Sequence, residues 1–141
     1  MSNNNFITMK TKLGTIRGLK NPASNSFLGI PYAAHNRFQP PKVIPEWSDT
    51  LDATLPGPVP PQLPSRLASV MGDFEIKYDE NCLSLNIWTP GEKGDDKPVI
   101  IWIHGGAFVS GSGSLPWYDG QNLSENQDLV VVGFNYRLGA L

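Results

Sequence analysis

Residues 98–113 read P-V-I-I-W-I-H-G-G-A-F-V-S-G-S-G, an apolar run that passes directly into glycines. The run at 99–103 is unbroken and dominated by β-branched residues, the pattern of a strand buried on both faces inside a mostly parallel sheet. Pro98 can open such a strand, because its first residue need not donate to the ladder. Two glycines at the strand's exit, Gly105 and Gly106, allow backbone angles closed to other residues and let another molecule approach the main-chain amides. Amides presented in that way can face a developing negative oxygen. A sheet of this kind needs helices on both faces, and helix is scarce here. Only residues 65–71 and 120–127 carry a weak helical pattern, so the expected sheet is not covered by this sequence alone.

The chain is 141 residues long, the size of one modest domain. Its 11 basic and 13 acidic side chains leave a formal net charge of -2 with no basic cluster, which argues against nucleic acid or an anionic membrane as partner. No apolar stretch is long enough to span a bilayer. The polar, uncharged start, Met1-Ser2-Asn3-Asn4-Asn5, has no signal-peptide pattern. A cytoplasmic location is the default expectation. Cys82 is the sole cysteine, which rules out an internal disulfide and a cysteine-based metal site. The two histidines, His35 and His104, are not at ligand spacing, so neither metal nor cofactor is expected.

In chain order, residues 6–19 read as a hairpin turning at 11–14, and residues 26–30 as a third strand ended by Pro31. Residues 33–79 have little periodicity and hold most of the 13 prolines. A strand follows around Asn86-Ile87-Trp88, then a charged turn at 91–97, then the central strand. The hairpin-like spacing predicts that 85–89 and 99–103 are neighbours in the sheet. Residues 129–135 form another buried apolar strand.

Gly29-Ile30-Pro31-Tyr32-Ala33 with Arg37-Phe38, Glu80-Asn81-Cys82-Leu83, His104-Gly105-Gly106-Ala107-Phe108, Tyr118-Asp119-Gly120 and Asn135-Tyr136-Arg137-Leu138-Gly139 together resemble segments of the type-B carboxylesterase and cholinesterase family, and of bacterial para-nitrobenzyl-esterase-like enzymes in particular. His104-Gly105-Gly106-Ala107-Phe108 is similar to the HGGG-type oxyanion segment of α/β-hydrolases. Glu80-Asn81-Cys82-Leu83 resembles the family's E-D-C-L segment. Tyr118-Asp119-Gly120, Asn135-Tyr136-Arg137-Leu138-Gly139, and Gly29-Ile30-Pro31-Tyr32-Ala33 with Arg37-Phe38 match further segments in the family's order. The likeness runs from about Leu13 to Leu141.

The resemblance implies an α/β class: the N-terminal part of an α/β-hydrolase fold, with small antiparallel strands leading into a central mixed sheet, incomplete within residues 1–141. It implies oxyanion donors on the amides of Gly106 and Ala107, with Gly105 supplying the turn and His104 holding it. Phe108 and Trp117 are implied as substrate-facing aromatics, with core packing as the competing role. Arg37 and Glu80 are implied as a structural ion pair. Two departures stand out. The stretch between Ala33 and Arg37 is short, and Pro60 stands where a partner for the family cysteine is often found, so Cys82 is expected as a buried free thiol.

Acyl transfer on this fold requires a serine on a G-x-S-x-G turn, then an acid, then a histidine. No serine here is flanked in that way; the only glycine pair at that spacing, Gly14 and Gly18, brackets Ile16. Ser110, Ser112 and Ser114 fail the pattern and read as solvated or capping loop residues. The expectation is therefore a carboxylesterase segment that carries the oxyanion donors without the nucleophile, the acid or the base, and is inactive alone. In a complete enzyme the substrate would be a small carboxylic ester. Here the partner would be the missing C-terminal part of the chain, or another copy. Two alternatives are a non-catalytic esterase-like adhesion protein and a truncated scaffold that oligomerises.

Overall fold

The computed structural model describes residues 5–64, 70, 72, 74, 76–91 and 96–141. The chain opens with the expected hairpin. β1 (Phe6–Thr11) pairs antiparallel with β2 (Gly14–Lys20), and Thr11 sits opposite Gly14 across the turn. β2 leads antiparallel into β3 (Ser24–Pro31), which pairs antiparallel with β7 (Ser84–Pro90). A bulge interrupts that last ladder between Phe27 and Ile30. It centres on Gly29, whose φ of +69° and close approach to the Leu55 carbonyl exclude a side chain.

The proline-rich segment contributes short strands only: β4 (Ala33–Ala34) with β5 (Lys42–Val43), and β6 (Leu51–Asp52) lying parallel to β2. Prolines supply no N–H, so this stretch cannot build long ladders. It packs against the sheet instead, with Ala53 and Pro60 fully buried. The helix expected over 65–71 falls outside the described residues apart from Val70, as does most of the charged turn at 91–97.

Among the described residues the main sheet has the order β1-β2-β3-β7-β9-β8, where β8 is Val99–Trp102 and β9 is Val130–Phe134. Two expectations fail here. The strands around 85–89 and 99–103 are not neighbours, because β9 lies between them, antiparallel to β7 and parallel to β8. A parallel pair cannot be joined by a tight turn. The chain therefore crosses over through the glycine loop, a 3-10 turn (Pro116–Tyr118) and helix α1 (Gln121–Gln127) before β9 inserts. Second, the 99–103 strand is not buried on both faces. Among the described residues it is an edge strand with one partner, and Val99, Ile101 and Ile103 are each about 60% exposed (58, 62 and 66%).

The register explains that exposure. Phe27, Ile87, Val132 and Ile101 stand directly opposite one another along one face, as do Ile30, Leu85 and Phe134. Phe27 and Ile30 are covered through their cluster with Ile16 and Ala53, onto which Trp47 and Leu51 pack. Nothing described covers the β8 end of that face. On the other face α1 lies against β7 and β9, with Gly120 close to Val131 and Trp88. One short helix cannot reach Ile100 and Trp102.

A second, smaller cluster joins Ala33, Cys82 and Leu83, with Tyr32 against it. Cys82 is fully buried and free, and burial pushes its thiol pKa up. It is an inert core residue by that setting.

Asn135, immediately after β9, is completely buried and uses its whole side-chain amide. Oδ1 accepts from Ser112 Oγ (2.7 Å) and the Gly113 amide (2.8 Å), and Nδ2 donates to the Pro58 carbonyl (2.9 Å) and Ser114 Oγ (3.1 Å). Its backbone joins too, since its amide donates to the Ser84 carbonyl and its carbonyl accepts from Tyr32 Oη. Asn135→Leu keeps the approximate volume but strands several buried partners, each costing about 1–3 kcal/mol. The expected destabilisation is about 3 kcal/mol or more, read from the urea midpoint; a loss below about 1 kcal/mol would show that these partners find other bonds.

Candidate active-site segment

β8 delivers the chain to His104 at the C-terminal end of a parallel pair, the edge of an α/β sheet where ligands gather. The chain then leaves standard backbone space. Gly106 has φ +123°, and Ala107 (φ +53°) and Phe108 (φ +60°) follow in the left-handed region. A Cβ on Gly106 would lie 1.8 Å from the Ser110 carbonyl oxygen, so only glycine fits there. Left-handed geometry at Ala107 and Phe108 is disfavoured, at about 1 kcal/mol or more each. Such strain persists only where surrounding bonds over-determine it.

Those bonds are visible. The Gly106 carbonyl accepts from the amides of Val109 (3.0 Å) and Ser110 (3.1 Å), and the Phe108 carbonyl from the amide of Gly139 (2.8 Å). His104 Nδ1 lies 2.8 Å from the Gly105 carbonyl, which can only accept, so Nδ1 carries the proton and donates. In a planar trans peptide, C=O and N–H point in opposite directions. Holding the Gly105 carbonyl therefore aims the Gly106 amide away from His104, and holding the Gly106 carbonyl aims the Ala107 amide away from Val109 and Ser110. Among the described residues neither amide has an acceptor. Gly105, Gly106 and Ala107 are all exposed. The segment thus presents free main-chain donors set by bonds behind them.

His104 is itself 2% exposed. Its ring stacks on Tyr136 at 4.3 Å with planes 5° apart, and Tyr136 Oη donates to the His104 carbonyl at 2.6 Å. Nε2 is buried without a partner among the described residues. Burial lowers the His104 pKa, opposed in part by the bond to Gly105. The Nδ1 edge of the imidazole is aimed at the loop's own backbone, at the Gly105 carbonyl.

Phe108 is 73% exposed beside the free amides, its ring turned to Tyr136 at 6.1 Å. Trp117 is half-exposed and meets Phe74 edge-on at 6.2 Å; no contact joins it to Phe108 among the described residues. Arg37 donates to the Glu80 carboxylate through Nε and Nη2, with Glu80's carbonyl also held by His35 Nε2 at 2.8 Å. Since the Arg37 side chain is 63% exposed, the pair contributes little stability alone. It lies in the connection between β4 and β7, away from the glycine loop in sequence. Of the two roles expected for the loop serines, Ser112 takes the capping one: it is fully buried, its Oγ accepts from the Ser114 amide at 2.9 Å and donates to Asn135.

Two contributors had no assigned role in the sequence. Gln62, from the proline-rich segment, accepts from the Gly111 amide (2.6 Å) and donates to the Gly111 carbonyl (2.8 Å), and no local pattern marks it. Tyr136 lay within a family-like segment, but nothing in the sequence pointed it at His104. Among the described residues no group of three His, Cys, Asp or Glu side chains could hold a metal, and no helix is long and apolar enough to cross a membrane.

The sequence profile of the carboxylesterase family matches residues 5–141. The chain is 40% identical over 133 residues to a para-nitrobenzyl esterase of Bacillus subtilis, covering 92% of this chain and 27% of the relative. It is 37% identical to an acetylcholinesterase of Bungarus fasciatus, over 95% of this chain and 24% of the relative. Its fold is similar to that of a solved para-nitrobenzyl esterase, with a TM-score of 0.85 at 40% identity over 94% of this chain and 28% of that one. The chain therefore spans about a quarter of the length of the curated relatives it matches, and its sheet is the N-terminal part of an α/β-hydrolase fold.

Because the folded-state pKa of His104 lies below its ordinary value of 6.5, the unfolded chain takes up the proton first as pH falls. Stability from this residue is present above about pH 6.5 and erodes below it, down through the folded pKa. Urea midpoints between about pH 7.5 and pH 5 should therefore drop more in the wild type than in His104→Gln. Equal drops would show that His104 is not buried neutral.

Proposed function

The chain belongs to the carboxylesterase family, and from that premise we propose that it supplies the oxyanion-stabilising wall of a serine-type carboxylic ester hydrolase. The observation that carries the reading is the pair of unengaged amides at Gly106 and Ala107, aimed by carbonyls bonded behind them. When a nucleophile adds to an ester carbonyl, negative charge moves onto the carbonyl oxygen. Donors fixed beforehand stabilise that charge without reorganising, and losing one costs about 10²–10³ in turnover. The strain at Ala107 and Phe108 favours this reading over a binding-only scaffold, which has no use for two left-handed non-glycine residues in a row.

The substrate is a small, fairly apolar carboxylic ester, with Phe108 and Trp117 as apolar wall. The reaction passes through an acyl-serine and needs no cofactor. The serine, acid and base come from polypeptide corresponding to the other three quarters of the relatives' length. Without them these 141 residues do not turn over esters. The nucleophile must come within bonding distance of the substrate carbon whose oxygen sits on Gly106 and Ala107. The polypeptide carrying it therefore docks beside the open edge of β8, the strand that ends at the loop.

A chimera in which residues 5–141 replace the matching segment of the Bacillus subtilis para-nitrobenzyl esterase tests this. Hydrolysis of p-nitrophenyl acetate is expected, with fluorophosphonate labelling on the serine of the recipient portion. A folded chimera without turnover, or labelling of Ser110, Ser112 or Ser114, would overturn the reading. In the same chimera, Gly106→Ala should lower kcat at least about 100-fold, since it removes the turn that presents both donors.

A further inference from the structure

The segment 135–139 does more than continue the sheet. Tyr136 Oη donates to the His104 carbonyl at the loop's start, and the Gly139 amide donates to the Phe108 carbonyl at its end. Between those anchors lie Gly105, Gly106 and Ala107. The Gly139 anchor is main-chain and tolerates substitution of side chains elsewhere. The Tyr136 anchor depends on one hydroxyl. Resting on the function proposed above, we propose that Tyr136 is a positioning residue for the oxyanion donors, acting through His104 by its hydroxyl and by the stacked ring.

The coupling can be followed bond by bond. The hydroxyl fixes the His104 carbonyl, and therefore the peptide plane joining His104 to Gly105. The ring, 4.3 Å from the imidazole and nearly parallel to it, fixes the plane in which Nδ1 lies. Nδ1 in turn holds the Gly105 carbonyl and so aims the Gly106 amide. His104 cannot set this arrangement alone, because its Nε2 has no partner among the described residues and its only other side-chain polar contact is a long one, 3.4 Å, to Tyr136 Oη. Gly105 has open space where a Cβ would stand, so among the described residues no side chain packs the loop into place from that side. Loss of the hydroxyl frees the first peptide plane, and the glycines that follow have the freedom to flip.

Tyr136→Phe is the variant of choice, because it retains the ring, its stack on His104 and its packing on Phe108 and Phe134. In the chimera, kcat should fall about 10-fold, less than the loss of a whole donor, while KM stays within about twofold, because the donors that the lost hydroxyl leaves misaimed act on the oxyanion of the transition state. Affinity for a trifluoromethyl ketone, which forms the tetrahedral oxyanion, should fall by the same factor as kcat/KM. His104→Gln and the double variant complete a cycle in which the two losses are not additive, since both act on one peptide plane.

An inactive wild-type chimera would refute the proposed function, yet leave the Tyr136 role open to measurement on the 141-residue chain. There, hydrogen exchange of the Val109, Ser110 and Gly139 amides, which are bonded to the loop carbonyls of Gly106 and Phe108, should quicken about tenfold in Tyr136→Phe, with the amides of β3 and β7 unchanged. Unchanged kcat in an active chimera, or loop exchange that rises only in step with β3 and β7, would overturn the positioning role and leave Tyr136 as ordinary packing.

Discussion

The side-chain amide of Asn135 holds together the end of the sheet at which the glycine loop sits. It is fully buried, so each of its bonds replaces water that cannot enter, and an unmade bond there is costly. Through it the proline-rich segment at Pro58, the serine-glycine turn at 112–114 and the exit of β9 become one unit. Its neighbour Tyr136 extends that unit to His104 and the free amides. The glycine loop is thus rigid through a network reaching back into the buried polar interior, although its own residues are exposed and strained.

That interior reverses the usual alternation. On β7 the buried side chains are Ser84, Asn86, Trp88 and Pro90, while Leu85 and Ile87 are only partly buried. Asn86 accounts for the reversal. It accepts from the Gly29 amide at the bulge and donates to the Gly113 carbonyl, so it joins two irregular loops across the strand. The face that carries Ser84 and Asn86 is buried because loops fold over those two residues while α1 covers Trp88 and Val131. At its β8 end the apolar face is open among the described residues. A continuous row from Ile87 through Val132 to Ile101, ending in a free strand edge, is a surface built to be covered.

Much of the fold was legible locally. Alternation and turn residues placed the N-terminal hairpin, and the apolar runs placed β8 and β9 to within a residue or two. The glycine pair after β8 pointed to exposed amides, because few other uses exist for two glycines at a strand exit. Strand order was not legible. Spacing made β7 and β8 look like a hairpin, and only the crossover through α1 puts β9 between them. Burial of β8 was also misjudged, since apolar composition reports what a strand needs and not whether neighbours supply it.

The amino-acid sequence by itself determined the main strands and the backbone freedom at Gly106, because these depend on residues close together in the chain, and the family, because its segments follow one another in a fixed order. Tertiary structure alone decided which way the Gly106 and Ala107 amides point. Their direction is set by partners for neighbouring carbonyls, and Tyr136 reaches His104 across 32 residues of sequence. Hydrogen-bond partners so distant in the chain leave no periodic trace, and only folding brings them to the same peptide plane.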